Sequence, residues 1–477
     1  MTPSRYHLPS RRDLLARTGY GVGAIGLAAV LGGDALAAEP TRPLAARPPH
    51  FPARAKRIIH LWMNGGPSQV DTFDPKPALE KFAGQRPAST AKLSTMSATS
   101  GLMPSPFKFA RHGQSGLEVS ELFPHVAKHA DKLCVIRSMH TNTPVHEASN
   151  WLMFTGHVQP IRPAYGSWLL YGLGSENENL PGFVVLGEGQ PVNGPSNWSS
   201  RFLPGIYQGC QVVLPVNYRP ADALANLRND QLGAAGQRRQ LDFAQRLNAL
   251  HRERVGADNG LDARIDSLEL AFRMQAAAAD VFDISREPEK VKEAYGLTGP
   301  DGKSGLRQGT FARNCLLARR LVESGVRVVQ VYYGAGQPWD THNDNSGNHQ
   351  GLARGADRPI AALLGDLAQR GLLDETLVVW GGEFGRTPTT QGSNGRDHNH
   401  YGFSMWLAGG GVKGGLAYGA TDEFGFQAVE KRVHVHDLHA TLLHLMGLDH
   451  EKLTFRYSGR DFRLTDVHGT VVKDIIA

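Results

Sequence analysis

The chain has 477 residues, 51 Lys and Arg against 45 Asp and Glu, a formal net charge of +6, and three cysteines. No Lys/Arg block is long enough to argue for nucleic acid, and Cys134, Cys210 and Cys315 are too far apart and odd in number for a disulfide framework. The length suffices for one large α/β unit with insertions, or for two domains.

The N-terminus carries Ser10-Arg11-Arg12-Asp13-Leu14-Leu15, then a Gly-rich apolar stretch from Gly19 to Gly32 and a small-residue cleavage site at Ala35-Leu36-Ala37. This pattern resembles a twin-arginine export signal over residues 1–37, followed by a linker over 38–56. It implies the twin-arginine machinery as a partner, a periplasmic or otherwise extracytoplasmic location, and a cargo exported already folded. The apolar stretch is too short for a permanent membrane span, which needs about 20 residues. Cleavage after Ala37 removes four Arg and two Asp and lowers the formal charge to +4. Gly21-Val22-Gly23-Ala24-Ile25-Gly26 matches the dinucleotide fingerprint, but no strand precedes it and the match is accidental.

Downstream, Arg57 to Met63 reads as a buried first strand stopped by Asn64-Gly65-Gly66-Pro67. A short helix over about Pro124 to Lys132 feeds the apolar run Leu133 to Ile136. A loop with His140 and His146 leads into a helix through Trp151 and Phe154. Phe183 to Leu186 is the next strand. Residues 221–282, rich in Ala, Leu, Arg and Gln at helical spacing, read as a helical insertion. A helix over Phe311 to Glu323 precedes the strand Val326 to Tyr333. A helix over Leu352 to Arg370 precedes the strand Leu377 to Trp380. Phe403 to Leu407 forms a short strand, Gly409 to Gly415 a turn, and Val435 to Met446 a helix. The alternation predicts a mainly parallel sheet sandwiched by helices. Trp62, Trp151, Trp380 and Trp406 are expected in its core.

Metal-type side chains punctuate this order: Asp71 and Asp74, Asp340 and His342, Glu383, then Asp397, His398 and His400 in a polar loop. The first three groups follow β-like runs, so consecutive strands would deliver them to one edge, where open α/β sheets build their sites. Oxygen and imidazole ligands without Cys suit a hydrolytic centre for zinc, calcium, magnesium or manganese. Structural readings stand beside these: Asp74 as a turn or cap residue, Glu383 with Arg386 as an ion pair closing a strand end, His436 and His439 as ordinary helix packing, His140 and His146 as locally satisfied loop histidines.

Asn64 to Pro77, Gly382 to Pro388 and Gly395 to His400, with Ala440-Thr441-Leu442-Leu443 in the last helix, resemble the alkaline phosphatase superfamily in its sulfatase-like branch. More closely still, they resemble an uncharacterised bacterial family of twin-arginine-exported, sulfatase-like proteins. The likeness runs from Arg57 to the C-terminus and implies one such domain over 57–477. It implies one or two divalent metal ions and hydrolysis of a small-molecule or polymeric sulfate or phosphate ester. The alternative is a non-catalytic binding or scaffold protein of the cell envelope. Carried onto this sequence, the resemblance implies Asp71, Asp340, His342, Glu383, His398 and His400 as metal ligands. The sulfatase nucleophile motif, a Cys or Ser with Pro two residues on and Arg two residues after that, is absent, and Ser68, with Thr72 in reserve, is the best-placed hydroxyl for a nucleophile; Arg386 is expected as a second catalytic group, and Asn64 and His146 as substrate-binding residues. Asn64 stands where that superfamily has Asp, and Glu383-Phe384 where it has Asp-His.

Overall fold

The computed structural model describes residues 44–477 except 92, 215–232, 256–267, 271, 275–276 and 298–305. The expected export signal, and parts of the expected helical insertion, lie outside these residues. Within the insertion, Gly233–Val255 is helical.

The strand β1 (Arg57–Trp62) is the centre of the molecule. Its side chains from Ile58 onward are all buried, because neighbours cover both faces, as the near-continuous apolar run requires. Full burial of each Ile, Leu or Trp here contributes on the order of 1.5–3 kcal/mol. The other strands of the sheet are β2 (Leu133–His140), β3 (Phe183–Gly187), β4 (Cys210–Val213), β5 (Val328–Tyr332), β6 (Thr376–Gly381), β7 (Phe403–Ala408), β8 (Leu416–Tyr418) and β9 (Val433–His434). Their order is β8-β2-β7-β6-β1-β5-β3-β4, with β9 also paired to β2. All pairs are parallel except those of β7, which runs antiparallel to β2 and β6. The fold is therefore mixed α/β with a mainly parallel sheet, as the alternation predicts.

Register places the site. Trp62 pairs with Tyr332 on one side and Gly381 on the other, so β1, β5 and β6 end side by side. The loops after them carry Asn64 to Ser68, Asp340 with His342, and Glu383. The helix Asn345–Gln369 returns the chain from β5 to β6 and packs against the helix Leu306–Glu323. Trp62, Trp380 and Trp406 are fully buried, and the last two stack with ring planes 3° apart. Trp151 is only half-buried and donates to Ser196 Oγ at 2.8 Å.

One expectation is corrected. Asp397 and His398 do not lie in a polar loop, although His400 follows the end of the strand they belong to. Gly395–Asn399 is a strand with every residue buried, antiparallel to Gly385–Gln391, which also pairs with Thr99–Leu102. The polar side chains mislead because each is buried against its own partner: Arg396 on Asp71, Asp397 on the Ser97 amide, His398 on Asp340, and Asn399 on the Gly402 and Phe426 carbonyls. Among the described residues no helix is long and apolar enough to cross a membrane.

Candidate metal centre

Two close backbone approaches bring the loops together. Gly65 has φ +104°, and a Cβ there would lie 2.5 Å from the Asp340 amide nitrogen. Only glycine lets the loop after β1 meet the loop after β5 so closely. At Gly395 a Cβ would lie 1.7 Å from the His342 carbonyl oxygen, so the same device seats the strand bearing His398 against His342.

The convergence centres on Asp340 Oδ1. His342 Nε2 lies 3.0 Å from it, His398 Nε2 3.1 Å and His146 Nε2 3.3 Å. His342 Nε2 and His398 Nε2 are themselves 3.0 Å apart. The guanidinium of Arg386, fully buried, donates to the same oxygen at 2.6 Å. Arg386 also donates to the carbonyls of Gly65 and Gly66.

Each imidazole is held by its other nitrogen. His146 Nδ1–H donates to Glu383 Oε1 at 2.6 Å, His398 Nδ1–H to the Pro144 carbonyl at 2.7 Å, and His342 Nδ1–H to Gln391 Oε1. These bonds fix the tautomer and turn three Nε2 lone pairs toward one carboxylate oxygen. Lone pairs so close repel unless protons or a cation stand among them. His146 Nε2 is buried without a hydrogen bond, as is Asp397 Oδ1, whose partner oxygen accepts from Ser97 N–H at 2.7 Å. The ligand atoms of His146, Asp340 and His398 lie within 4.8 Å of one another, and so do those of His342, Asp397 and His398. Donor atoms about 2.0–2.1 Å from a tetrahedral zinc-sized ion stand roughly 3.3 Å apart, close to the spacings seen. The donor set fits a divalent cation.

Protons compete for the same place. Burial would raise the Asp340 carboxyl, but the imidazoles of His146, His342 and His398 around it and the Arg386 charge hold it well below the usual carboxylate range. Burial works against a charged His146, yet Asp340 and Glu383 on its two nitrogens raise it to about 9. Hydrogen bonding to Asp340 also raises His342, whereas burial lowers His398. The side chains of Asp340 and His342 keep 20% and 31% of their surface exposed, so the cluster opens to solvent on their side.

The remaining sequence-predicted residues lie around this cluster. Glu383 is fully buried, with both oxygens accepting from Gly65 N–H and one from His146. Asn64 turns its amide to the carbonyls of Tyr333 and Gly334. Asp71 is taken up by Arg396 and Asn345. Asp74 bonds Thr421 and Lys76. Ser68 is fully buried, its N–H donating to His349 Nε2 at 2.9 Å, and Thr72 Oγ1 donates to the Ser68 carbonyl. His400 lies against the Tyr401 ring at a tilt, centroids 3.9 Å apart, and belongs to neither ligand group. His439 Nε2–H donates to the Met153 carbonyl, and neither it nor His436 belongs to a ligand group. His146, in sequence one of several loop histidines, stands inside the cluster. Its position at the start of the helix His146–Thr155 was the available signal.

The family described as "Protein of unknown function (DUF1501)" matches residues 55–476. None of the curated proteins matches the chain. Among solved structures, it is similar to Ps i-CgsB in complex with k-i-k-neocarrahexaose, at 12% identity and TM-score 0.38, covering 82% of this chain and 72% of that one. It is similar to the PsFucS1 sulfatase from Pseudoalteromonas sp., at 12% identity and TM-score 0.36, covering 83% and 69%. It is also similar to the alkaline phosphatase from the Antarctic bacterium TAB5, at 9% identity and TM-score 0.30, covering 82% and 98%. At these identities and scores the likeness carries nothing about chemistry.

Proposed function

The chain belongs to the DUF1501 family, and from that premise we propose that it is an exported, metal-dependent hydrolase of sulfate or phosphate esters. The observation that carries this reading is the convergence of three anchored Nε2 atoms on Asp340 Oδ1. His146, His342, His398 and Asp340 would hold the ion, with Asp397 beside them. When bound, a divalent ion supplies positive charge that a sulfuryl or phosphoryl group needs as its ester bond breaks.

The chain's own residues do the rest. Arg386 keeps Asp340 ionised and adds a fixed positive charge next to the ion's place. Glu383 holds the proton on His146 Nδ1, and the Pro144 carbonyl and Gln391 do the same for His398 and His342. The partly open side at Asp340 and His342 admits an anionic ester and water, while the buried ring of Phe384, tilted against His146 and His398 with centroids 4.7 Å from each, closes the inner side. Water attacking from that open side fits the geometry better than Ser68, whose hydroxyl is sealed from solvent. Residues 1–37 support export by the twin-arginine route. The test is paired assay of purified protein on aryl sulfates and aryl phosphates, before and after metal removal. Turnover that chelation abolishes and metal restores is the expected result; no turnover with the metal bound would favour the non-catalytic scaffold reading.

A further inference from the structure

The donors at Asp340 also select the kind of ion. Magnesium and calcium take mainly oxygen ligands, six to eight of them for calcium, whereas imidazole suits zinc and its neighbours. Here three of the four converging donors are imidazole nitrogens. Of the nearby oxygens that could convert the site to an oxygen cage, Asp397 Oδ1 is uncommitted, and it adds one oxygen to three nitrogens; the others are taken. Glu383 Oε1 accepts from His146 Nδ1–H and Gly65 N–H, and Oε2 accepts from Gly65 N–H. The Asp71 carboxylate is bonded by Arg396 through both oxygens and by Asn345. The Asn64 amide points at backbone carbonyls. Where a second cation could sit against Asp340, the Arg386 guanidinium already stands, anchored on Gly65 and Gly66 carbonyls.

We propose that the centre takes a single divalent ion of the nitrogen-binding, zinc or cobalt kind on His146, His342, His398 and Asp340, and that Glu383 is a positioning residue acting through His146. This deepens the metal-centre reading above and rests on it. Glu383 sets His146 as a conserved outer acceptor sets a metal-bound imidazole in any such site: it keeps Nδ1 protonated and aims Nε2 inward. Gly65 N–H fixes the carboxylate in turn, so the first strand's loop reaches the ion only through two intermediaries.

The test is metal binding by the mature chain, stripped with chelator and titrated in a calorimeter with zinc, cobalt(II), magnesium and calcium chlorides, with cobalt absorbance as the geometric signature. One equivalent of zinc or cobalt should bind, and magnesium or calcium at equal concentration should not displace it. His146→Ala, or His146→Gln if the alanine variant fails to fold, should lose affinity and change the cobalt spectrum. Glu383→Gln should weaken binding about 10–100-fold but keep the wild-type cobalt spectrum, because the amide oxygen still accepts from His146 Nδ1–H. Two equivalents, tighter binding of magnesium or calcium, unchanged affinity in a folded His146 variant, or a cobalt spectrum in Glu383→Gln altered as in Asp340→Asn would each overturn the proposal. Zinc binding as expected without hydrolysis of any ester would leave it standing and overturn only the hydrolase reading.

Discussion

Arg396 and Asp71 pair at 2.8 Å with neither side chain exposed at all. Arg396 is held further by the carbonyls of Thr387 and Met103, so the pair ties the strand Gly395–Asn399 to the helix Gln69–Thr72. Burial would raise the Asp71 carboxyl, but Arg396 and His349 beside it bring it below its ordinary value. Removing one partner leaves the other charge buried and unpaired, which typically costs about 3–5 kcal/mol. Asp71→Asn should therefore lower the urea midpoint strongly while the folded fraction retains its metal. Metal loss at unchanged stability would instead make Asp71 a ligand.

Chelation should lower the melting temperature of the wild type, and zinc should restore it. An ion that binds only the folded state stabilises it by about 2.7 kcal/mol at a hundredfold excess over its dissociation constant. Asp340→Asn should abolish this response, since Asp340 Oδ1 is the atom on which all three imidazoles converge. A melting temperature indifferent to chelator and to zinc would remove the metal centre.

What the sequence disclosed, and what it hid, follows from local and non-local cause. Strands ending in polar loops are a local signal, so the shared edge of β1, β5 and β6, and the meeting of Asp340, His342, Glu383 and His398, were legible. The antiparallel run of β7 and the strand nature of Gly395–Asn399 depend on partners distant in sequence, and alternating Asp, His and Asn conceal them. Asp71 and Ser68 look like site residues beside Gly65 and Gly66. Yet the loop folds back so that Asp71 meets Arg396, more than 300 positions on, and Ser68 faces His349. No local pattern announces such pairings. The sequence puts His146 at the site as a substrate-binding residue but not among the ligand-type side chains, for the converse reason: a single histidine gains that meaning only from Glu383 and Asp340 on its two nitrogens.

Acid should destabilise the fold through two histidines outside the metal cluster. His60 on β1 is fully buried against Tyr165, Trp62 and Phe154, and burial together with His439 lowers its pKa to about 3. Burial likewise lowers His439 to about 4, against the opposing bond to the Met153 carbonyl. Both bind protons more readily unfolded, near pKa 6.5, than folded. Stability from their neutral forms is thus full above pH 6.5 and is lost as the pH falls toward 4. The loss should reach on the order of 1–2 kcal/mol per histidine by pH 5. His439→Gln, which keeps a donor for Met153, should flatten the urea midpoint against pH between 6.5 and 5; an unchanged slope would exclude His439 from it.

The last prediction concerns the attacking oxygen. Ser68 caps the short helix Gln69–Thr72, its hydroxyl is buried without a hydrogen bond, and its amide is spent on His349. An ester entering beside Asp340 and His342 meets no solvent path to that hydroxyl. Ser68→Ala should therefore hydrolyse aryl esters at a rate within a few-fold of wild type, with metal content unchanged. A serine that formed a covalent intermediate would behave otherwise. Its removal would cost orders of magnitude in rate, and wild type would show a burst of product equal to the enzyme present. His342→Ala gives the contrast, because it stands at the open side and among the ligands. It should lose metal, thermal stability and activity together. If Ser68→Ala is folded, fully metallated and inactive, the attack belongs to Ser68, and the loop from Asn64 to Thr72 must open during turnover to expose it.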